Sequence, residues 1–238
     1  MSSAIHALLR FFRPSPSVDP LAQQSATQER ITRRSSGFSE FVRRIAGRNQ
    51  ATNQVEEPLN ILDLGPTSPA NITYLTGLGH KVYNEDVLQA GSDPALVTTN
   101  EEGKPSIDVA RFLANSLQYN PEQFDAVLCW DVADYMPEPL VKPMIDRIHR
   151  VTKPGGSILA FFHTKDAGPD APYYRYHIAG DALSLQAMWK QGPAKTRIPL
   201  FRLQRIFQNR HVENLFHDFG SLKFFLARDN VREIIVLR

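Results

Sequence analysis

The 238-residue chain is 42% apolar and 22% charged with a net charge of +2, a balance that fits a folded globular protein and marks out no polyanionic partner. Its single cysteine, Cys129, excludes an intrachain disulfide framework and a cysteine-only zinc site; reducing surroundings suit it, so the protein is expected in the cytoplasm. No apolar run reaches the length of a membrane span, and residues 1–13 lack the long uncharged core and small-residue cleavage site of a secretory signal.

Residues 1–55 differ from the rest. They hold eight arginines against three acids, which leaves an excess of acid in residues 56–238. Ser, Pro and Gln crowd residues 14–36, a composition with too little apolar surface to fold alone. Two amphipathic patches accompany it, one of Ala7, Leu8, Leu9, Phe11 and Phe12, the other of Phe38, Phe41, Val42 and Ile45 at helical spacing. A basic amphipathic helix can rest on an anionic membrane, cap the cleft of its own domain or dock on the core. Docking is the expectation for residues 37–48. For residues 1–13, peripheral membrane contact and an organelle-targeting role both stay open. The expected plan is a basic, partly disordered extension with short amphipathic helices over residues 1–55 and one folded domain over residues 56–238.

Residues 60–86 read NILDLGPTSPANITYLTGLGHKVYNED. Ile61, Leu62 and Leu64 form a short apolar run ending at Gly65, the pattern of a strand buried on both faces. Ser68 offers a helix cap, and Pro69 suits the first helical position, where a missing N–H costs nothing. Ile72, Leu75 and Leu78 give the helix an apolar face and Gly79 ends it. A second strand starts at Lys81 and closes on Glu85 and Asp86. Strand, tight turn, helix, strand, acid is the first half of a nucleotide-binding α/β unit, and a carboxylate so placed suits ribose hydroxyls. The turn lacks the three glycines of a dinucleotide fingerprint, and Pro66 and Pro69 remove two N–H donors, so it is not built for a pyrophosphate.

Residues 87–106 carry the Gly, Pro and Asp signals of a loop, and residues 107–117 suit a helix with Val109, Phe112, Leu113 and Leu117 on one side. Residues 124–130 are the clearest buried strand, followed by a helix over residues 136–151. Lys153-Pro-Gly-Gly156 turns into a strand over residues 157–162. Residues 166–199 are too long for a plain connection, and the runs 173–178 and 183–186 flanking Ala-Gly-Asp-Ala read as a β-hairpin. A helix over residues 199–210 and strand-like runs over 212–219, 222–228 and 231–237 complete the chain, the first run open to a partly helical reading.

Asp63-Leu-Gly65 before a helix, Asp86 after the second strand, Phe124-Asp-Ala-Val-Leu-Cys-Trp-Asp131 and Arg150-Val-Thr-Lys-Pro-Gly-Gly156, in this order, resemble a class I S-adenosylmethionine-dependent methyltransferase of the type 11 or type 25 kind. The resemblance covers residue 58 onwards. The chain keeps the acid and first glycine of that family's glycine motif and has Thr67 and Pro69 in place of the other two. The resemblance implies an α/β fold: a Rossmann-like seven-stranded mixed sheet with helices on both faces, an antiparallel C-terminal strand, and the inserted β-hairpin as a cover over the cleft. It implies S-adenosyl-L-methionine as cofactor, with Asp63 near the amino group of the methionine moiety, a role that competes with simple pinning of the loop. Gly65 would let the ligand approach the backbone, and Thr67 and Ser68 would hold the methionine carboxylate. Asp86 would take the ribose hydroxyls, with Glu85 as the alternative because a one-residue shift exchanges their faces. Trp130 would pack beside the adenine, and Asp131 would face the methyl group or the substrate.

His163 is the second catalytic candidate, and Tyr173, Tyr176 and His177 are the substrate-side ones. Histidine titrates near neutral pH, and a tyrosine hydroxyl can orient a nucleophile. Cys129 reads as a small core residue. The seven histidines show no metal-ligand spacing, so no metal is expected. The expected function is methyl transfer to a small-molecule or lipid-like acceptor, in which holding donor and nucleophile in line contributes roughly 7–11 kcal/mol. The alternative is a catalytically inactive binding or scaffold module, which the altered glycine loop favours. A dehydrogenase is excluded by the missing glycines and the lack of a second catalytic domain. Nucleic acid is not expected on the slightly acidic domain, and the acceptor and oligomeric state are not readable from the residues.

Overall fold

The structure is a computed structural model that describes residues 30–50, 57–190, 198–225 and 229–238. The apolar patch of residues 7–12, with the membrane and targeting roles attached to it, lies outside these residues.

The chain opens with strand β1 (Arg30–Arg34) and helix α1 (Ser36–Gln50). The strand–turn–helix–strand unit follows as β2 (Asn60–Leu64), α2 (Pro69–Gly77) and β3 (Lys81–Glu85). Short helix α3 (Val87–Gly91), strands β4 (Val97–Thr99) and β5 (Pro105–Ile107) and helix α4 (Val109–Asn115) lead to β6 (Phe124–Trp130). Helices α5 (Val132–Tyr135) and α6 (Glu138–Val151) precede the long strand β7 (Thr152–His163). The insertion is the hairpin β8 (Tyr173–Ala179) and β9 (Ala182–Lys190), then β10 (Ile198–Pro199). Helix α7 (Asn209–Leu215) and strands β11 (Ser221–Phe225) and β12 (Val231–Leu237) end the fold.

The central sheet has the order β11-β12-β7-β6-β2-β3. Strands β3, β2, β6 and β7 run parallel, and β12 and β11 add the antiparallel end. The seventh strand expected from the sequence is replaced by other structure. After β3 the chain forms α3, a single 3-10 turn over Pro94–Leu96 and the β4–β5 ribbon. All of β4 is exposed and β5 begins with a proline, which cannot donate to a sheet ladder, so the ribbon has no apolar face to lay beside β3. The loop expected over residues 87–106 is thus partly ordered.

Two further boundaries move. The helix expected over residues 199–210 is not formed, because the N–H groups of Gln204 and Arg205 donate to the carbonyl of Asp134 instead of to their own segment. Helix appears instead in α7, inside the first of the three strand-like runs, where Gln208 and His211 cap each other's backbone in a reciprocal box.

The sheet separates two apolar cores. Leu62, Leu64, Val127 and Ile158 face one, closed by α4 and α6. Ile61, Ala126, Leu128 and Leu159 face the other, closed by α1, α2 and the hairpin. Helix α1 docks through Phe38, Phe41 and Ile45, all buried, as its spacing indicates. Its start is held by a buried carboxylate on β12: Glu233 accepts from Arg33 (2.6 Å), the Ser35 hydroxyl (3.0 Å) and the N–H of Gly37 (2.6 Å). A Cβ at Gly37 would lie 3.0 Å from Glu233 Oε2, so glycine permits that approach. Strand β1 then pairs with β9, extending the hairpin into a second sheet over the C-terminal edge of the first. Among the described residues no helix is long and apolar enough to cross a membrane.

Candidate active site

In the central sheet β2 lies between β3 and β6, so the strand order reverses there. In parallel α/β sheets the crevice outside the strand ends at such a point is where ligands sit. Asp63 and Gly65 end β2, Asn84 and Glu85 end β3, and Trp130 and Asp131 end β6.

Asp63 is buried, accepting from Asn71 Nδ2 (2.9 Å) and Trp130 Nε1 (2.6 Å). Burial outweighs these donors and pushes its pKa up to about 6. Trp130 reaches Asp63 from an unusual backbone, with φ at 47° beside a register shift in the β6–β7 ladder, the kind of irregularity that re-aims a side chain. Gly65 has room: a Cβ would meet only Trp130 Cδ1, at 3.5 Å. Ser68 caps α2 by accepting from Asn71 N (3.2 Å), ahead of Pro69.

The acids at the end of β3 are committed to local structure. Asp86 Oδ1 accepts from Gln89 N (3.0 Å) and caps α3. Glu85 accepts from Leu117 N (2.8 Å) and from the Tyr119 hydroxyl. Asn84, paired with Asp63 in the parallel register, is the β3 residue that turns to the loop. Its Nδ2 donates to the carbonyls of Asp63 (3.0 Å) and Gly65 (3.1 Å), and its Oδ1 accepts from the Thr67 hydroxyl.

Strand β8 seals this loop. Arg175 Nη1 donates to the Thr67 carbonyl (2.9 Å), and Ser68 Oγ meets His177 Nδ1 (2.8 Å). Asn71 donates to the Tyr176 carbonyl (3.2 Å) and accepts from Ile178 N (2.8 Å). The Tyr176 ring stacks on Trp130, interplanar angle 1° and centroids 5.1 Å apart, while its hydroxyl donates to Asp131 Oδ2 (3.0 Å). Asp131 is buried, its other oxygen has no hydrogen-bond partner, and desolvation pushes its pKa up to about 6. His177 is held between Ser68 and Gln186, and its pKa is lowered by burial. Tyr173 is buried edge-on against Tyr135 and Phe201, as part of the wall.

One strand further along, the edge is more open. His163 ends β7; its backbone N–H (2.5 Å) and ring Nδ1 (2.8 Å) both meet Asp134 Oδ2. Asp134 is fully buried on α5, with its second oxygen unpartnered. Burial alone would lower the histidine pKa; the bond to Asp134 and the charges of Asp131 and Asp134 raise it. The ring lines a cavity of about 320 Å³ walled by Tyr135, Tyr174, Pro169, Pro172 and Leu203.

Of the sequence candidates, the structure thus gathers Asp63, Gly65, Thr67, Ser68, Trp130, Asp131, Tyr176 and His177 around one loop, turns Asp86 and Glu85 to local bonds, and puts His163 at the neighbouring cavity. Asn71, Asn84, Asp134 and Arg175 carry the arrangement without having been singled out. Asp134 left one trace in the sequence: an acid inside the apolar run Val132-Ala-Asp-Tyr-Met136, where burial of a charge needs a partner. The two asparagines and Arg175 left none. Cys129 is buried and its thiol is pushed up to about 12, so it is unreactive.

Residues 62–160 match the sequence model of a family described as a methyltransferase domain. Over 134 residues the chain is 34% identical to the ubiquinone biosynthesis O-methyltransferase of Pseudomonas syringae pv. tomato, an alignment covering 54% of this chain and 55% of that protein. The chain therefore spans about half the length of the curated relative it matches. Solved structures that align with it include a SAM-dependent methyltransferase from Methanosarcina mazei, 15% identical with a TM-score of 0.44 over 78% of this chain and 95% of that one. Another is the 1,6-didemethyltoxoflavin-N1-methyltransferase of Burkholderia thailandensis, with bound 1,6-didemethyltoxoflavin and S-adenosylhomocysteine, 11% identical with a TM-score of 0.40 over 95% and 93%. Residues 62–160 are thus similar to a methyltransferase domain, and they hold the Asp63–Gly65 turn at which the order of the central sheet reverses.

Proposed function

We propose that the protein transfers a methyl group from S-adenosyl-L-methionine to a small-molecule acceptor. The observation that carries this reading is the match of residues 62–160 to a methyltransferase domain, with the Gly65–Ser68 turn, Asn84 and Asp131 at the strand ends where the sheet order reverses. The loop suits the donor in kind. Asp63 supplies a carboxylate for an ammonium group, and the N–H groups of Thr67, Ser68 and Ala70 make no hydrogen bond among the described residues and suit a carboxylate. When bound, the donor supplies an electrophilic methyl carbon on sulfonium sulfur. The chain's own part is to bind, align and keep water out, with Asp131 and His163 on the acceptor side.

The scaffold alternative rests on the missing glycines alone. The match to the methyltransferase domain starts on the strand that carries that loop, so no observation favours this alternative.

Calorimetric titration with S-adenosylmethionine and S-adenosylhomocysteine tests the reading. Wild type should bind in the micromolar range, on the order of −8 kcal/mol. Gly65→Ile, whose Cβ has room but whose branches fill the crevice, should lose at least tenfold while melting as cooperatively as wild type. A folded wild type that binds neither compound overturns the proposal.

A further inference from the structure

Two strands along the sheet from the donor loop, past Asp131, lies an open space whose chemistry narrows the acceptor; the role given to that space rests on the methyl-transfer reading. The cavity at the end of β7, about 320 Å³, falls at the small end of small-molecule sites, enough for one substituted ring. Its flat apolar walls are Tyr135, Tyr174, Pro169, Pro172 and Leu203, with Asp166 and Arg202 as charged lining residues. His163 is the histidine among the lining residues, and its ring is only 17% exposed.

The His163 ring is fixed on one side. Nδ1 bonds to Asp134 Oδ2 at 2.8 Å, and the backbone N–H of the same residue bonds to the same oxygen. A carboxylate there selects the tautomer with hydrogen on Nδ1, so the neutral ring presents its lone pair at Nε2, which has no hydrogen-bond partner among the described residues. Asp134 acts through the imidazole and is a positioning residue.

We infer that this cavity is the methyl-acceptor site and that it takes a flat aromatic ring bearing a hydroxyl, whose proton His163 accepts at Nε2. The acceptor's acidity decides between classes. A phenol, with a pKa of about 10, lies within reach of an imidazole base, whereas an alkyl hydroxyl, near the roughly 15.7 of water, does not. A carboxylate or an unprotonated ring nitrogen needs no base, and the buried Asp134–His163 pair would then have nothing to do. In the step, the hydroxyl proton goes to Nε2 and the oxygen pair forms the O–C bond. The C–S bond breaks with its electrons left on sulfur, and the imidazolium returns its proton to water.

The groups that set the titration of His163 are Asp134 on α5, Asp131 at the end of β6 and Arg33 on β1, with Arg232 on β12 acting on Asp134. Tyr135 packs edge-on against the ring, and Asp166 and Arg202 stand at the cavity.

Catechol, anisole and benzyl alcohol serve as probes on the full chain carrying labelled histidine, followed by nuclear magnetic resonance. Catechol should bind in the millimolar range or tighter, shift the His163 ring nitrogens, and bind at least tenfold better than the two controls. Leu203→Trp, which fills the cavity, should weaken catechol at least tenfold and leave S-adenosylhomocysteine affinity unchanged. If catechol is methylated, kcat/KM should rise with pH through the His163 titration in wild type. His163→Gln should lose that limb and at least a hundredfold in rate. Catechol binding no better than anisole, or an unmoved His163 signal, or full affinity in Leu203→Trp, overturns the inference. Donor binding without catechol binding removes the acceptor class and leaves methyl transfer standing; catechol bound as described without donor binding does the reverse.

Discussion

The loop after β2 and the end of β7 lie on the same edge of the same sheet, yet they treat their polar groups oppositely. Around Asp63, Ser68 and Asn71 the inward side chains are satisfied by the protein itself, largely by the backbone and side chains of β8. At Asp134 and His163 one face of the pair is bonded and the other looks into open space. A polar group already paired contributes to stability; one left with spare bonding capacity beside a cavity is available for chemistry. The first region should therefore answer to mutation in stability, and the second in pH dependence.

Asn71→Ala should have the largest effect. It removes bonds to Asp63, to the Tyr176 carbonyl and from Ile178 N, all buried, and should cost roughly 3 kcal/mol in urea unfolding. A loss below about 1 kcal/mol would mean that the hairpin is not held by the loop. Asp131→Asn should do the opposite. The folded pKa of Asp131, about 6, is above the ordinary 3.8, so the native state binds more protons and wild-type stability falls as pH rises from about 4 to 6. Removing the charge should stabilise the protein at pH 7.5 by on the order of 2–3 kcal/mol, with the gain shrinking below pH 6 in thermal melts.

Asp134→Asn sharpens the other side. His163 has a raised pKa in the folded state, so its contribution is fully present below the unfolded value near 6.5 and is lost as pH rises through the folded one. The variant should shift the His163 titration to lower pH by nuclear magnetic resonance and flatten the stability slope above pH 6.5. Asp86→Ala should be the mildest. It loses a cap on α3, about 1 kcal/mol, and should leave donor affinity within about twofold, because its carboxylate bonds Gln89 N. A tenfold drop would put Asp86 in the donor site.

The parts of this plan that were legible in the sequence are those set by local rules. Ser68-Pro69 marked a helix start, the apolar run over residues 124–130 marked the central strand, and Ala-Gly-Asp-Ala marked the hairpin turn. The misreadings have non-local causes. The segment over residues 199–210 has helical spacing, but Asp134 takes its N–H groups from across the fold. Register decided which β3 residue faces the loop: parallel pairing sets Asn84 opposite Asp63 and turns Glu85 toward Leu117. Single-sequence spacing holds no register between strands twenty residues apart, so the turn of Asn84 to the loop was invisible.

The contacts of β8 with the loop carry a kinetic consequence. A donor bound as proposed at the N–H groups of Thr67 and Ser68 would lie against a segment that Arg175 and His177 hold, beside the stacked pair of Tyr176 and Trp130. Ligand and hairpin would then be rivals for the space over one loop, and the measured dissociation constant would equal the intrinsic one divided by the fraction of molecules with the hairpin lifted. Were roughly one molecule in a hundred open, affinity would fall by about a hundredfold and association would slow to the opening rate. Exchange of the Ile178 amide, which is shielded only while Asn71 accepts from it, would report that fraction directly.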